Sequence, residues 1–557
     1  MAFSRSFSRS FSSKTRSENL KKFREQEFDL VIIGGGITGA GAARDAASRG
    51  MSVALVEMQD FAQGTSSRSS KLVHGGIRYL ENLEFGLVFE ALSERRLLFE
   101  IAPHLVHPLR FVLPLFKGGR VGMFKMSLGM WLYDALSMFE APEMHERLNK
   151  DGTMTRLPLL KSKDLLGSYV YSDAYMDDDR LTIETLRSAN ALGAVCANYV
   201  KATGAVFEGT QVRALICTDQ LSGEQVTIRG KHFITSVGPW TDKVASSIFT
   251  DWKKILRPSK GVHLTFDRKR LNLPQAVVMA EGKRIVFGIP RHEMIIIGTT
   301  DTDFKEDPSE VRATADDVRY LLKVAGEYFP GAKLTAEDII ATYAGVRPLV
   351  DDGSVTESKT SREHLIYRDQ RNVTFVAGGK YTTYRLMAEQ TIEAALEAYP
   401  VEQQLKFAHN HTEQPLNPKA TVEKLEQNLR MAKQYGSAFG IGGDAATKLV
   451  ERHGEEAWDI LKNGAAYLRN GDDHQKMWAV EAAHAIESTM CMSLTDFYTR
   501  RSPLFLSYRD HGVSLLPAIG AVFQAELGWD DIRKHEEFKK VQAHIDSELA
   551  WRKDLGL

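Results

Sequence analysis

The sequence predicts an α/β fold in three parts: a Rossmann-like nucleotide-binding domain, a second domain on an antiparallel sheet interleaved with it, and a C-terminal all-α domain. Three observations carry this. Residues 28–57 read as strand, glycine turn, Ala-rich helix and strand, the order of a βαβ unit. Strand-like apolar runs then recur at 232–237 (HFITSV), 284–289 (RIVFGI), 294–298 (MIIIG) and 373–377 (VTFVA). Beyond residue 390 strand candidates thin out, and Ala, Glu, Lys, Gln and Leu recur at helical spacing. The expected division is 1–26 as a disordered basic tail, 27–105, 170–250 and 346–395 as the nucleotide-binding domain, 106–169 and 251–345 as a substrate and membrane-contact domain, and 396–557 as the helical domain.

In the βαβ unit each position has a physical reason. FDLVII (28–33) is a buried strand, followed by Gly34, Gly36 and Gly39 in GxGxxG spacing. Gly34 permits the tight turn, and Gly36 lets backbone approach a pyrophosphate. Gly39, Ala43 and Ala47 let helix and sheet come close. Ile37 and Thr38 open the helix, whose free N–H groups and positive dipole end suit a diphosphate. Gly50 ends the helix, and Glu57 closes the second strand 18 residues after Gly39, where its carboxylate can bind ribose hydroxyls.

Glycine spacing does not separate FAD from NAD; the next segment, TSSRSSKLVHGGIRYL (65–80), does. Its hydroxyl-rich loop suits a dinucleotide lying extended, with Thr65, Ser66, Ser67, Ser70 and Lys71 as donors and Leu72, His74 and Gly75 beside them. ITSVGPW (234–240) ends a strand at Gly238 and Trp240, and Val200 is placed on the same cofactor. AGGKYTTYR (377–385) follows a further strand and opens a helix. There Gly378 and Gly379 let backbone approach an isoalloxazine, with Lys380, Tyr381 and Thr382 adjacent, and Lys380 or the helix N-terminus stabilises a reduced, anionic flavin.

Composition sets limits. The 557 residues suit two to four domains, and 43% hydrophobic with 26% charged residues is a globular balance. A net charge of −1 offers no basic face for nucleic acid, so an acidic substrate needs a local cluster of cations. Cys196, Cys217 and Cys491 form no CxxC pair, which argues against a zinc site or disulfide framework and for buried thiols. No HExxH or comparable ligand set is present, and the chemistry below needs no metal. Residues 1–17 carry Arg5, Arg9, Lys14 and Arg16 and no acid; a disordered basic tail and a mitochondrial transit peptide both fit.

The segments GGGITGAGAARDAASRG, TSSRSSKLVHGGIRYLE, VGPW, IIIGTTDTDF, YAGVRPL and GGKYTTYR, in this order, resemble the FAD-dependent (respiratory, aerobic-type) glycerol-3-phosphate dehydrogenases. In the C-terminal region TDFYTRRSPL (495–504) resembles the family's D-x-x-x-R-R-T stretch, with Ser502 where Thr is usual. The resemblance implies an FAD-binding domain of the D-amino-acid-oxidase/glutathione-reductase type with FAD held non-covalently. It implies hydride transfer from C2 of sn-glycerol 3-phosphate to flavin N5, giving dihydroxyacetone phosphate, with membrane quinone as electron acceptor. It also implies roles. Arg78 and Arg362 are phosphate ligands, and Arg347 is the group nearest the reacting carbon. His263 and His74 are the candidates for the base that takes the hydroxyl proton. Tyr79, Thr300 and Lys380 line the same pocket, and Asp301 orients neighbours or ends a strand. The oxygen-reducing, peroxide-releasing glycerol-3-phosphate oxidases share these residues. An amino-acid-oxidising relative needs fewer arginines, and a non-enzymatic FAD-binding module is the third alternative.

Residues 121–139, VGMFKMSLGMWLYDALSMF, are the membrane candidate. Lys125 and Asp134 interrupt them, Lys117 and Arg120 precede them, and the Met, Phe, Trp and Tyr load suits a helix lying in the bilayer surface, with an ordinary core helix as the alternative. Phe124, Met130 and Trp131 are the expected anchors. The expected location is the cytoplasmic face of a bacterial inner membrane, with the mitochondrial inner membrane as alternative; a homodimer is left open.

Overall fold

The computed structural model describes residues 11–249, 251–282, 284–351 and 364–557. Helix α1 (Arg16–Glu25), strand β1 (Glu27–Ile33), helix α2 (Ile37–Ser48) and strand β2 (Val53–Val56) open the fold. The stretch expected to be a disordered tail is therefore folded from Phe11 on. Phe11 is fully buried and stacks on Phe61 at 5.4 Å between ring centroids. Arg16 donates to the Asn198 carbonyl at 2.8 Å and to Asp219 at 2.5 Å. A buried cation needs such partners; in the sequence Arg16 looks like part of a solvated charge run because its partners lie some 200 positions away.

β1 lies inside the first sheet, paired in parallel with β2 on one side and with Gln225–Thr235 on the other. Both faces are covered, which is why its sequence is continuously apolar and does not alternate. The sheet runs His364–Asp369, Val373–Gly378, Gln225–Thr235, β1, β2, Val195–Ala197, with the hairpin Val200–Glu208 and Gln211–Asp219 joined to Gln225–Thr235. α2 is short-sided enough to be buried nearly all round, through Ala40, Ala42, Ala43, Ala46 and Ala47.

The second sheet is formed by Leu72–Val73, Val106–Phe116, Glu146–Asn149, Leu165–Met176 and the strands between Ser259 and Arg347. It is antiparallel except where Ala276 and Val277 run parallel to Phe111 and Val112. Leu165–Met176 is one strand of this sheet, so the expected boundary at residue 169 cuts through it. Register decides what the site contains. Ser259, Gly261 and His263 stand opposite Arg347, Gly345 and Tyr343, so the period of two puts these six on matching faces at one end of the sheet.

Helices α3 (Phe85–Ile101) and α4 (Met123–Leu136) lie side by side, and α5 (Asp178–Ala191) covers α2. The C-terminal helices do not stand apart: their core is continuous with that of the second sheet. Thr265 donates to the Leu506 carbonyl at 2.8 Å, Trp551 Nε1 to Thr342 Oγ1 at 3.1 Å, and Arg187 of α5 to Glu456 at 2.6 Å.

Candidate active site

A cavity of about 710 Å³ runs between the two sheets, within the ~300–1,000 Å³ usual for ligand pockets. At one end it meets the glycine turn. Gly34, Gly36, Ile37, Thr38, Glu57, Thr65, Ser66, Val200, Gly238 and Trp240 all line it. At the other end it meets the second sheet and the opening of the helix after Val373–Gly378. Ser70, Leu72, His74, Tyr79, His263, Arg347, Gly379, Lys380, Tyr381 and Thr382 line it there.

The first end is shaped for a dinucleotide. The Ile37 N–H donates to Ser66 Oγ at 2.9 Å, which fixes the hydroxyl loop against the start of α2. A β-carbon on Gly39 would lie 1.9 Å from the Gly34 carbonyl and 2.6 Å from Ser236 Oγ, so only glycine lets α2 approach this closely. The Gly35 N–H donates to Glu57 at 2.7 Å and the Gln59 N–H at 2.9 Å. These bonds aim the carboxylate, which burial pushes above the usual range against their pull. A cradle open at Gly36, with an acid fixed at the end of β2, suits a diphosphate joined to a ribose.

At the other end Arg347 is held by four acceptors. Nη1 donates to Asp301 at 3.1 Å and to Ser259 Oγ at 3.3 Å; Nη2 donates to Thr299 Oγ1 at 3.0 Å and to the Thr300 carbonyl at 3.2 Å. The guanidinium lies over Gly261, where a β-carbon would come within 2.4 Å of Nη2. His263 is buried, stacked on Tyr343 with centroids 4.6 Å apart, and its Nε2 pairs with Ser70 Oγ at 2.8 Å. Burial, with the Arg347 and Lys71 charges nearby, holds its pKa well below 6.5, so the ring is neutral at physiological pH. His74 is half-buried; Thr382 Oγ1 accepts from its backbone N–H at 3.3 Å, and its ring lies 6.5 Å from that of Phe287. Lys380 Nζ stands 4.1 Å above the Tyr79 ring, a cation–π distance.

Several expected site residues stand elsewhere. Lys71 is fully buried, ion-paired with Asp178 and donating to the Ser67 carbonyl at 3.1 Å; its charge is consumed in the core and does not face the cofactor. Thr300 does not line the cavity: its Oγ1 accepts from the Val262 N–H at 3.0 Å while its carbonyl steadies Arg347. Ser67, Gly39 and Gly75 lie behind the lining, and the Gly75 N–H donates to Tyr133 at 3.1 Å. Of Arg78 the structure describes the backbone, in the turn Ile77–Asn82 that also carries Tyr79. Arg362 lies outside the described residues.

Other lining residues escaped sequence reasoning. Arg68, inside the hydroxyl loop, donates to the Ala344 carbonyl and to Glu548, each at 3.0 Å. Met58, Gln59 and Gln63 carry no motif, and Lys243 pairs with Asp307 at 2.5 Å where the domains meet. Outside the cavity, His453, Glu456 and His484 bring potential metal-ligand atoms within 4.8 Å of one another. Arg187 already bonds Glu456, and Glu481 pairs with His453 at 2.9 Å.

A family model described as FAD dependent oxidoreductase matches residues 29–393. The chain belongs to this family. The FAD-dependent oxidoreductase match is joined by a second, described as the C-terminal domain of alpha-glycerophosphate oxidase, over 420–534. The chain is similar to an aerobic glycerol-3-phosphate dehydrogenase of Staphylococcus saprophyticus, 36% identical over 549 residues covering 96% of this chain and 98% of that one. It is 38% identical to an aerobic glycerol-3-phosphate dehydrogenase of Staphylococcus aureus over 505 residues, 87% of this chain and 89% of that one. Among solved structures, glycerol-3-phosphate dehydrogenase from Bacillus halodurans complexed with FAD superposes with a TM-score of 0.78 at 29% identity, covering 96% of this chain and 98% of that one. For this FAD-dependent oxidoreductase, the cradle at Gly34–Gly39 and the aimed Glu57 fit the cofactor's diphosphate and ribose, and Gly379 and Lys380 lie at the other end of the same cavity.

Proposed function

We propose that this enzyme oxidises sn-glycerol 3-phosphate to dihydroxyacetone phosphate and passes the electrons to membrane quinone. The observation that carries the reading is the single cavity joining a dinucleotide cradle to an anchored arginine, a neutral histidine and a lysine; the names of the relatives supply the substrate. FAD, when bound, supplies the acceptor for the C2 hydrogen. The chain's residues do the rest. Arg347, whose terminal N–H groups are taken up by Asp301, Ser259, Thr299 and the Thr300 carbonyl before substrate arrives, places a fixed positive group beside the C2 oxygen. His263 is neutral, held so by burial and by the Arg347 and Lys71 charges, and is therefore able to accept the hydroxyl proton. His74 is the second candidate. Lys380, with Arg78 and Arg362, supplies positive charge for the phosphate.

Anaerobic addition of sn-glycerol 3-phosphate to the purified holoenzyme should bleach the flavin, and glycine or L-proline should not. A flavin that stays oxidised with the phosphorylated alcohol overturns the reading. Use of oxygen as acceptor is the second reading, favoured by the oxidase name attached to 420–534. Stoichiometric hydrogen peroxide at saturating substrate would select it.

Contact with a bilayer on the cytoplasmic face of a bacterial inner membrane belongs to the same proposal. On α4, Phe124 is 80%, Leu128 59% and Trp131 56% exposed, spaced to share one face of the helix, and Leu83 (71%) and Phe139 (58%) are exposed as well. Exposed aromatic and aliphatic groups in one patch suit burial in the headgroup region. Met130, expected among the anchors, is fully buried, because it falls on the opposite side of the helix. No helix of the described residues is long and apolar enough to cross a membrane.

A further inference from the structure

The loop Glu57–Gly64 is irregular, yet Glu57, Met58, Gln59, Gln63 and Gly64 form the wall beside the ribose end of the cavity. Asp60, in its middle, points the other way and is fully buried. Arg500 Nε donates to it at 2.6 Å, and Arg501 donates through Nη1 at 2.8 Å and Nη2 at 2.9 Å. Both arginines belong to the C-terminal domain, in a single π-helical turn, Phe497–Arg501. Asp496 completes the cluster. It accepts from Arg500 at 2.8 Å and from the Tyr199 hydroxyl at 2.7 Å. Two carboxylates face two guanidiniums, and the group balances its charge.

The same turn holds the neighbouring wall. Asn198 donates to Asp60 at 3.1 Å, the Tyr199 N–H donates to the Gln59 carbonyl at 2.8 Å, and Val200 follows on the lining. Arg501 is itself braced on Thr489, through Oγ1 and the carbonyl, each at 2.9 Å. Its own domain supplies the loop with uncharged contacts, from Asn198 and Tyr199, from Ala62 donating to the Gly35 carbonyl at 3.0 Å, and from Phe61 buried under Gly35 and against Phe11; the cations on Asp60 come from the C-terminal domain. A buried carboxylate that loses a cation is costly to keep where it is; Asp60 then keeps Arg500 and Asn198 as donors, and the strain falls on the loop that carries it beside the ribose end of the cavity.

We propose that Arg500 and Arg501 are positioning residues for FAD: by pinning Asp60 they hold closed the cavity wall around the adenosine half of the cofactor, and so set how long FAD stays bound. This rests on FAD binding by the chain and not on the substrate proposed above. It gives the helical domain a task at the end of the cavity remote from the flavin ring.

The test measures release of FAD from purified holoenzyme by the rise in flavin fluorescence on dilution, and binding of ADP to the apoprotein by calorimetry. Arg501→Gln and Asp60→Asn are each expected to speed FAD release at least tenfold and to weaken ADP by a similar factor. Arg501→Lys, which keeps the charge but not the fork, should fall between. Asp60→Asn combined with Arg501→Gln removes one charge of each sign and leaves Arg500 paired with Asp496, so the double variant decides the matter if Arg501→Gln does not fold. Release and ADP affinity at wild-type values in a folded variant, even one with a lowered melting temperature, would assign the cluster to stability alone and overturn the proposal.

Discussion

Replacing Gly261 by alanine puts a β-carbon 2.4 Å from Arg347 Nη2, 2.8 Å from Cζ and 2.7 Å from Thr299 Oγ1. Non-bonded heavy atoms settle about 3.5 Å apart or more, so the guanidinium must retreat by roughly 1 Å. That is enough to break the bonds from Nη2 to Thr299 at 3.0 Å and to the Thr300 carbonyl at 3.2 Å. The displaced atom is the tip of a flexible side chain, so the fold should change by less than ~1 kcal/mol, and a strand alanine recovers some unfolded-state entropy. Catalysis has no such freedom: a misplacement of ~1 Å can cost ~10²-fold, or about 2.7 kcal/mol of transition-state stabilisation. We therefore expect Gly261→Ala to lower kcat/KM for sn-glycerol 3-phosphate about a hundredfold, with FAD content and melting temperature near wild type. The assay is steady-state dye reduction alongside the flavin-to-protein absorbance ratio. A variant with full flavin and kcat/KM within threefold of wild type would refute the argument that a preset Arg347 carries the chemistry.

Gly39→Ala meets backbone, the Gly34 carbonyl at 1.9 Å, and cannot be relieved by a side-chain swing; the purified variant should hold less than a tenth of the wild-type flavin, read by absorbance. His232 is buried with Nε2 on Thr374 at 2.8 Å, and burial, aided by Arg368, lowers its pKa to about 4. A folded value below the unfolded ~6.5 means its stabilisation is intact above pH 6.5 and is lost as pH falls toward 4, so the stability gap between wild type and His232→Asn should shrink by about 3 kcal/mol across that window in urea titrations. Phe124→Ser with Trp131→Ser should release the enzyme from anionic liposomes in a flotation assay while FAD stays bound. Met130→Ser, by contrast, opens the core and should cost ~2–5 kcal/mol in denaturant unfolding.

What the sequence discloses is set by range. The βαβ unit was legible because strand, turn and helix are neighbours: Gly34, Gly36, Gly39 and Glu57 sit within one supersecondary motif, and each is constrained by the next. Arg347 was legible from GVRPL, but its anchors were not. Asp301 reads as a residue that orients unnamed neighbours or ends a strand and Thr300 as pocket lining; Ser259–Asp267, pairing with Ile339–Arg347 on one side and with Met294–Gly298 and Thr302–Asp303 on the other, brings them around the guanidinium. Lys71 misled because a lysine in a hydroxyl-rich loop reads as an anion ligand; its partner Asp178 lies 107 residues away. Met130 misled because the 121–139 segment is apolar over more than one face, so composition could not say which side meets the core. Arg16 and Asp60 show the same limit, each buried through partners from distant segments.

The ion pair of Arg347 with Asp301 bears on how the site divides its labour. A guanidinium 3.1 Å from a carboxylate, with its terminal N–H groups already on Asp301, Ser259, Thr299 and the Thr300 carbonyl, has part of its charge offset, so it is a poor primary anchor for a dianion but a fixed positive group for an oxygen that gains charge only during reaction. Binding a phosphate at Arg347 would also compete with Asp301 and disturb the neutral His263 beside it. A charge with its geometry fixed in advance serves the transition state more than the ground state. The phosphate is then better served by cations away from the Thr299–Asp301 cage. Lys380 stands over the Tyr79 ring on the facing wall, and the turn bearing Arg78 runs directly into that tyrosine. In the reaction proposed above, separating the two tasks has the substrate held by its charged end while its hydroxyl end meets a preset arginine and an uncharged imidazole.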